Sequence, residues 1–141
     1  MVIDADALKL ISPDMLTENV LVTPHAYEFK QLFDEEVPDK LEDKIELLRK
    51  LSEEYNCQIL LKGVIDVITS RDDYKLNRTG NQGMTIGGTG DLLAGIAVAL
   101  ATKNTLFEAA YLSSFILGQT ADKVLEEKGF NYRIKDILKK L

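Results

Sequence analysis

Gly87-Gly88-Thr89-Gly90-Asp91, followed at once by the apolar run Leu92–Ala101, decides how this chain is read. Glycines let a backbone approach a ligand without a Cβ in the way. N–H groups at a helix start point outward, and the helix dipole favours negative charge there. The stretch is therefore physically an anion cradle that opens a helix. Asp91 falls in the first turn, where a carboxylate beside a transferring phosphoryl group could take the proton of a substrate hydroxyl. The plainer alternative is that Asp91 only caps the helix and the glycines only pack. The pattern is neither Gly-x-Gly-x-x-Gly nor a P-loop, since no Lys-Ser/Thr follows, so the common dinucleotide and NTPase folds are unsupported.

Working outward, Asn77–Gly90 holds five of the nine glycines and reads as a loop. Before it, Met1–Ala5, Val20–Thr23, Gln58–Lys62 and Val64–Thr69 have the bounded apolar character of buried strands, and Tyr74–Leu76 can return as a hairpin after Arg71-Asp72-Asp73. Thr23 is the expected cap of a helix with Pro24 in its first position, running to Leu32 or Phe33. Leu41, Ile45, Leu48, Leu51 and Tyr55 recur at helical spacing, with Asn56 as a left-handed stop. After the cradle, a buried helix is expected from Asp91. A second opens at the capping box Thr105-Leu-Phe-Glu108 and stops at Gly129, and Arg133–Leu141 forms a short amphipathic tail. Strands alternating with helices predict an α/β layered fold, in which ligands sit beyond the carboxyl ends of the strands. Asp4, Asp6, Thr23–Glu28, Lys62-Gly63 and Gly87–Asp91 all fall there.

The composition is that of one globular domain: 141 residues, 45% hydrophobic and 28% charged, which argues against disorder. A net charge of −6 leaves no basic footprint for nucleic acid. The longest apolar run is about half of the ~20 residues that span a bilayer. Asp4 and Asp6 interrupt the first apolar stretch, so no signal peptide is read and a cytoplasmic location is expected. A single cysteine, Cys57, suits a reducing compartment and reads as a buried small hydrophobe. A single histidine, His25, excludes a multi-histidine metal site.

Several side chains could carry chemistry, each with a plainer alternative. Lys62 at a strand end can meet a phosphate as a point charge, or be an ordinary solvated lysine. His25 and Glu28, three apart at a helix start, share a face and could position a substrate and a metal-bound water; a lone histidine is otherwise structural. Asp4 and Asp6 are expected to point the same way on a strand, where paired carboxylates could hold Mg²⁺, unless Asp6 only caps a turn. Tyr111 and Phe115, four apart, are expected in the core.

These residues together carry a resemblance. Val2-Ile-Asp-Ala-Asp-Ala-Leu8, Thr23-Pro-His-x-x-Glu28, Leu61-Lys-Gly63, Asn77-x-Thr-Gly-Asn-x-Gly-Met84 and Gly87-Gly-Thr-Gly-Asp91 resemble, in order, the ADP/ATP-dependent NAD(P)H-hydrate dehydratases of the ribokinase-like superfamily. The resemblance implies a three-layer sandwich with a mostly parallel central sheet flanked by helices. It implies that residues 1–141 are one partial domain lacking the N-terminal half. It implies repair of hydrated NADH or NADPH: the ring hydroxyl is phosphorylated from ADP or ATP with Mg²⁺, and phosphate then leaves. Asp91 resembles the base and a substrate contact, and His25 a second substrate contact. Gly88, Thr89 and Gly90 resemble the anion hole, and Lys62, Gly63, Val64, Ile65 and Asp66 the nucleotide stretch. Glu28 falls where the superfamily keeps a glutamate that organises metal and phosphate indirectly. Gln82, Ile86 and Asp66 depart from the family's usual proline, small or hydroxylated residue, and threonine. The expected partner is a second copy or a complementary N-terminal half. The alternatives are a ribokinase-like kinase of a vitamin or sugar hydroxyl, and a nucleotide-binding half-domain that is inactive alone.

Overall fold

The strands point alternate side chains to opposite faces of one sheet, and each face gathers its own apolar cluster. The computed structural model describes residues 1–141. Its strands are β1 (Val2–Ile3), β2 (Leu21–Val22), β3 (Gln58–Leu61), β4 (Asp66–Thr69) and β5 (Tyr74–Asn77), side by side in that order. Val22, Ile59, Leu61 and Val67 face α1 (Ala26–Phe33) and α2 (Leu41–Glu54), packing with Phe29, Leu32, Leu48 and Leu51. Leu21, Leu60 and Ile68 face α3 (Thr89–Leu100), α4 (Leu106–Lys128) and α5 (Ile134–Leu138), packing with Leu93, Ala97, Leu117 and Ile137. Helices thus cover both sides, giving the expected three α/β layers. A buried Ser52 Oγ···Thr69 Oγ1 contact of 2.7 Å ties α2 to β4.

The sheet is mixed. β1, β2 and β3 run parallel, with Ile3 opposite Val22 and Val22 opposite Ile59, whereas β4 and β5 are antiparallel neighbours. This topology sets the site. The carboxyl ends of β1, β2, β3 and β5 and the start of β4 meet at one end of the sheet, and they deliver Asp4, Thr23, Lys62, Asn77 and Asp66 in a row.

Two expectations change. The helix after the cradle begins at Thr89 and is only half covered: Leu93 and Ala97 are buried, but Val98 is 52% exposed and nothing lies within 4 Å of a Cβ placed on Gly95. Helix α3 packs on α4 and β1, and Asp91, Gly95, Val98 and Ala99 stay exposed on its outer side. Tyr111 is partly buried against the core, whereas Phe115 is 38% exposed and lies outside it. They stack on each other at 6.1 Å, and Lys75 Nζ lies 4.7 Å above the Tyr111 ring. The buried stripe of α4 runs through Ala110, Ser114, Leu117, Ala121 and Val124, one position to the side. Asn56 takes the left-handed stop (φ 47°), and Cys57 is buried, which pushes its thiol up to about 12. No helix is long and apolar enough to cross a membrane.

Candidate active site

At the row's centre, Lys62 is not a solvated lysine. Its Nζ donates to Asp4 Oδ1 at 2.8 Å and lies 3.6 Å from Glu28 Oε2. The side chains are only 22%, 10% and 11% exposed. Thr23 Oγ1 also donates to Asp4 Oδ1, at 2.7 Å, and Lys62 N–H donates to the Pro24 carbonyl at 2.8 Å. One cation held between two carboxylates leaves the group with a net negative charge. Removing one partner of such a largely buried pair costs about 3 kcal/mol or more.

Asp4 reaches this position because β1 stops at Ile3. Asp4 and Asp6 therefore do not share a strand face. The chain turns into a 3-10 turn at Ala5 (φ 52°), and Asp6 points to solvent, 90% exposed and paired with Lys9 at 2.5 Å. The proposed carboxylate pair for Mg²⁺ is not formed, and Asp4 works with Lys62 instead.

The start of α1 also differs from expectation. Thr23 is engaged by Asp4, so the cap falls two residues later, on His25. His25 Nδ1 accepts the Glu28 N–H at 3.2 Å, and Glu28 Oε2 accepts the His25 N–H at 2.8 Å, a reciprocal capping box. An accepting Nδ1 assigns the ring proton of neutral His25 to Nε2, 3.5 Å from Glu28 Oε1. The imidazole is half exposed, so it offers an N–H donor at the cavity mouth. Glu28 serves the cap and Lys62 at once.

The cradle faces this group. Gly88 adopts φ 94° before the first turn of α3, a conformation that an L side chain would strain. A Cβ on Gly90 would lie 3.3 Å from Asp4 Oδ2 and 3.7 Å from Lys62 Nζ, so the helix start rests directly on the Asp4–Lys62 pair. The N–H groups of Gly90 and Asp91 have no acceptor in the fold. Asp91 is exposed in the first turn.

The turn after β3 is fixed by Asp66. Its Oδ1 accepts the Gly63 N–H at 2.9 Å, and its Oδ2 accepts from Ser114 Oγ at 2.5 Å and Asn77 Nδ2 at 3.3 Å. Asp66 thus turns inward to shape the stretch, while Val64 is fully exposed at the rim.

A cavity of about 630 Å³ joins these parts. Its walls include His25, Lys62, Gly63, Val64, Asp66, Thr89 and Gly90, with Met84, Leu93 and Leu117 as an apolar side. Glu28, Ile65, Gly88 and Asp91 are not among its lining residues. A more open, polar cleft of about 480 Å³ between Asn19, Gln58 and Arg71 lies at the sheet's other end and has no cradle. Thr79, Gly80 and Asn81, which the sequence placed in a motif without a role, and Ser114, which it missed, also line the cavity. The available signal was small and polar residues on the otherwise apolar stripe of α4, facing a glycine-rich loop.

No group of three or more Asp, Glu, His or Cys converges on a metal position. This donor set suits Mg²⁺ carried by a nucleotide's phosphates with its waters, a mode that needs only one or two carboxylates from the protein. Asp4 and Glu28 are the two carboxylates beside Lys62.

A family model described as NAD(P)H-hydrate dehydratase matches residues 1–141. A bifunctional NAD(P)H-hydrate repair enzyme from Methanopyrus kandleri is 45% identical over 120 residues, 84% of this chain and 24% of its own length. An ADP-dependent (S)-NAD(P)H-hydrate dehydratase from Cenarchaeum symbiosum is 39% identical over 137 residues, 96% of this chain and 48% of its own. A solved ADP/ATP-dependent NAD(P)H-hydrate dehydratase from Bacillus subtilis, co-crystallised with ATP/Mg²⁺, superposes with a TM-score of 0.80 at 23% identity. It covers 99% of this chain and 54% of that one, a likeness that shows the shared fold. The chain spans about a quarter to a half of the length of these relatives.

Proposed function

Because the chain belongs to the NAD(P)H-hydrate dehydratase family, we propose that it carries the base and the phosphate cradle of a nucleotide-dependent dehydratase acting on hydrated NADH or NADPH. The observation that carries this reading is the start of α3, with two N–H groups free, resting on the Asp4–Lys62 pair at the cavity wall.

In this reading Asp91 takes the proton of the ring hydroxyl while that oxygen attacks the terminal phosphorus of ADP or ATP. The phosphorus–oxygen bond to the departing nucleotide breaks as the new one forms. The carbon–oxygen bond then breaks, phosphate leaves with the bonding pair, a neighbouring ring carbon loses a proton, and the double bond returns. The N–H groups at Gly90 and Asp91 stabilise the charge on the transferring group, a transfer governed by position and electrostatics. Lys62, held between Asp4 and Glu28, meets the phosphates as a point charge. Gly63 to Asp66 shape the nucleotide turn, with Val64 at its rim and Asp66 acting from behind. His25 presents Nε2–H to the hydrated cofactor. Mg²⁺ would neutralise phosphate charge, beside Glu28 and through water.

We read residues 1–141 as part of one ribokinase-like domain. A complementary half, joined to it or separate, or else a second copy, would cover the apolar side of α3 and the open edge of β1. A reducing, cytoplasmic setting goes with this reading, supported by the buried free thiol of Cys57.

Product analysis tests the chemistry against a ribokinase-like kinase of a vitamin or sugar hydroxyl. A dehydratase releases one free phosphate per reduced cofactor restored, whereas accumulation of a stable phosphoester would establish the kinase.

A further inference from the structure

Resting on the reading that Gly87–Asp91 is the phosphoryl cradle, we propose that Asp122 and Tyr132 are positioning residues that fix this cradle through Asn81.

The loop between β5 and α3 has no strand partner. Between Arg78 and Gly88 its regular structure is one 3-10 turn, Gln82–Thr85. Side chains from α4 and the C-terminal segment supply the missing anchors. Asp122, two turns along α4 from Ser114, uses both oxygens: Oδ2 accepts the Gly80 N–H at 2.9 Å and Oδ1 accepts Asn81 Nδ2 at 2.8 Å. The other end of the Asn81 amide is equally committed. Its Oδ1 accepts Tyr132 Oη–H at 2.6 Å and the Gly83 N–H at 3.1 Å. The Asn81 amide therefore has one consistent orientation, nitrogen toward the carboxylate and oxygen toward the phenol.

The contact is tight enough to exclude a side chain. A Cβ on Gly83 would lie 2.5 Å from Tyr132 Oη, and Ile134 Cγ1 lies 3.5 Å from the Cβ position of Gly88, the residue before the cradle helix. The C-terminal segment thus props the loop at two points, under Gly83 and under Gly88. Gly80 and Asn81 line the cavity, but Asp122 and Tyr132 do not. They act through the loop rather than on a ligand. Tyr132 is only 4% exposed, and a carboxylate accepting two N–H donors makes the stronger, charge-assisted kind of hydrogen bond. A misplacement of about 1 Å at a reacting centre costs on the order of 10²-fold in rate.

Three variants of the full chain test this by residue-resolved amide hydrogen exchange. Asp122→Asn keeps the volume but opposes an NH₂ to one of two N–H donors, and Tyr132→Phe removes only the hydroxyl. Both are expected to speed exchange at the bonded amides of Gly80, Gly83, Met84 and Leu92 by roughly tenfold and to leave α2 and β3 protected. The exchanged pair Asp122→Asn with Asn81→Asp keeps the bonds donated by Gly80, Gly83 and Tyr132 and reverses only the bond between positions 81 and 122, and protection should return. Unchanged exchange at those four amides in both single variants, exchange raised equally throughout the chain, or no recovery in the double variant would overturn the proposal. Should Asp122→Asn fail to fold, Tyr132→Phe still decides. With activity as a second readout, Tyr132→Phe should lower kcat by more than it raises KM for hydrated NADH. A wild type that shows the exchange pattern but no turnover counts against the dehydratase reading and leaves the anchoring intact.

Discussion

At the scale of single residues, Asp91 and Gly90 make the sharpest claims. Asp91→Asn keeps a polar residue in the first turn of α3 but removes the base. Turnover of hydrated NADH should fall on the order of 10²–10⁴-fold, while calorimetric binding of ADP or ATP stays within a few-fold; an active Asp91→Asn variant would remove Asp91 from the chemistry. Gly90→Ala puts a methyl group 3.3 Å from Asp4 Oδ2. Alanine is favoured over glycine in a helix by about 1 kcal/mol, which offsets part of the strain, so the variant should still fold. Displacing Asp4 from Lys62 should weaken nucleotide binding about tenfold, near 1.4 kcal/mol, and equal affinity in the two proteins would show that the helix start does not depend on the pair beneath it. The cradle was legible in the sequence because glycine density and a following apolar run have few other causes. Asp4 and Asp6 were misread because strand alternation holds only while the strand lasts, and β1 ends at Ile3. The triad Asp4–Lys62–Glu28 was not legible as a unit, since its members sit on three separate elements and meet only through the parallel register.

At the scale of elements, start and stop signals were the most readable. The capping box at Thr105 and Glu108 and the stop at Gly129 (φ 62°) lie where the spacing put them. The start of α1 moved by two residues because a tertiary partner, Asp4, engages the Thr23 hydroxyl and leaves the cap to His25. No local propensity carries that information. The loop anchors were hidden for the same reason: Asn81, Asp122 and Tyr132 are far apart in the chain. Their pH dependence is a test at this scale. Burial pushes the Tyr132 phenol up, opposed by its hydrogen bond to Asn81 and reinforced by the Asp122 charge. A phenol whose pKa is raised by folding contributes stability that is fully present below the unfolded value, ~10. That contribution is lost as pH rises through the folded value. The difference in urea midpoint between wild type and Tyr132→Phe should therefore be constant from neutral pH up to ~10 and shrink as the pH rises further. A difference that persists unchanged well into the alkaline range would contradict this.

At the scale of the whole molecule, the layered α/β architecture was legible from the alternation of apolar strands and amphipathic helices. The mixed character of the sheet was partly so, through the turn at Arg71-Asp72-Asp73 that returns β5. What the pattern alone did not reveal is that α3, apolar nearly all round, keeps one side open, although a helix apolar on every side is ordinarily enclosed. That open side and the free edge of β1 are where the proposed complementary half or second copy would sit. In the proposed reading a chain of net charge −6 still takes a polyanionic nucleotide, because the attraction is local, from the free N–H groups at the start of α3 and from Lys62. The most direct measurement is recovery of the ultraviolet absorbance of the reduced nicotinamide when hydrated NADH is incubated with ADP or ATP and Mg²⁺, with and without a complementary N-terminal half. The account predicts recovery matched by free phosphate and abolished by Asp91→Asn; no recovery even with the complementary half present would contradict it.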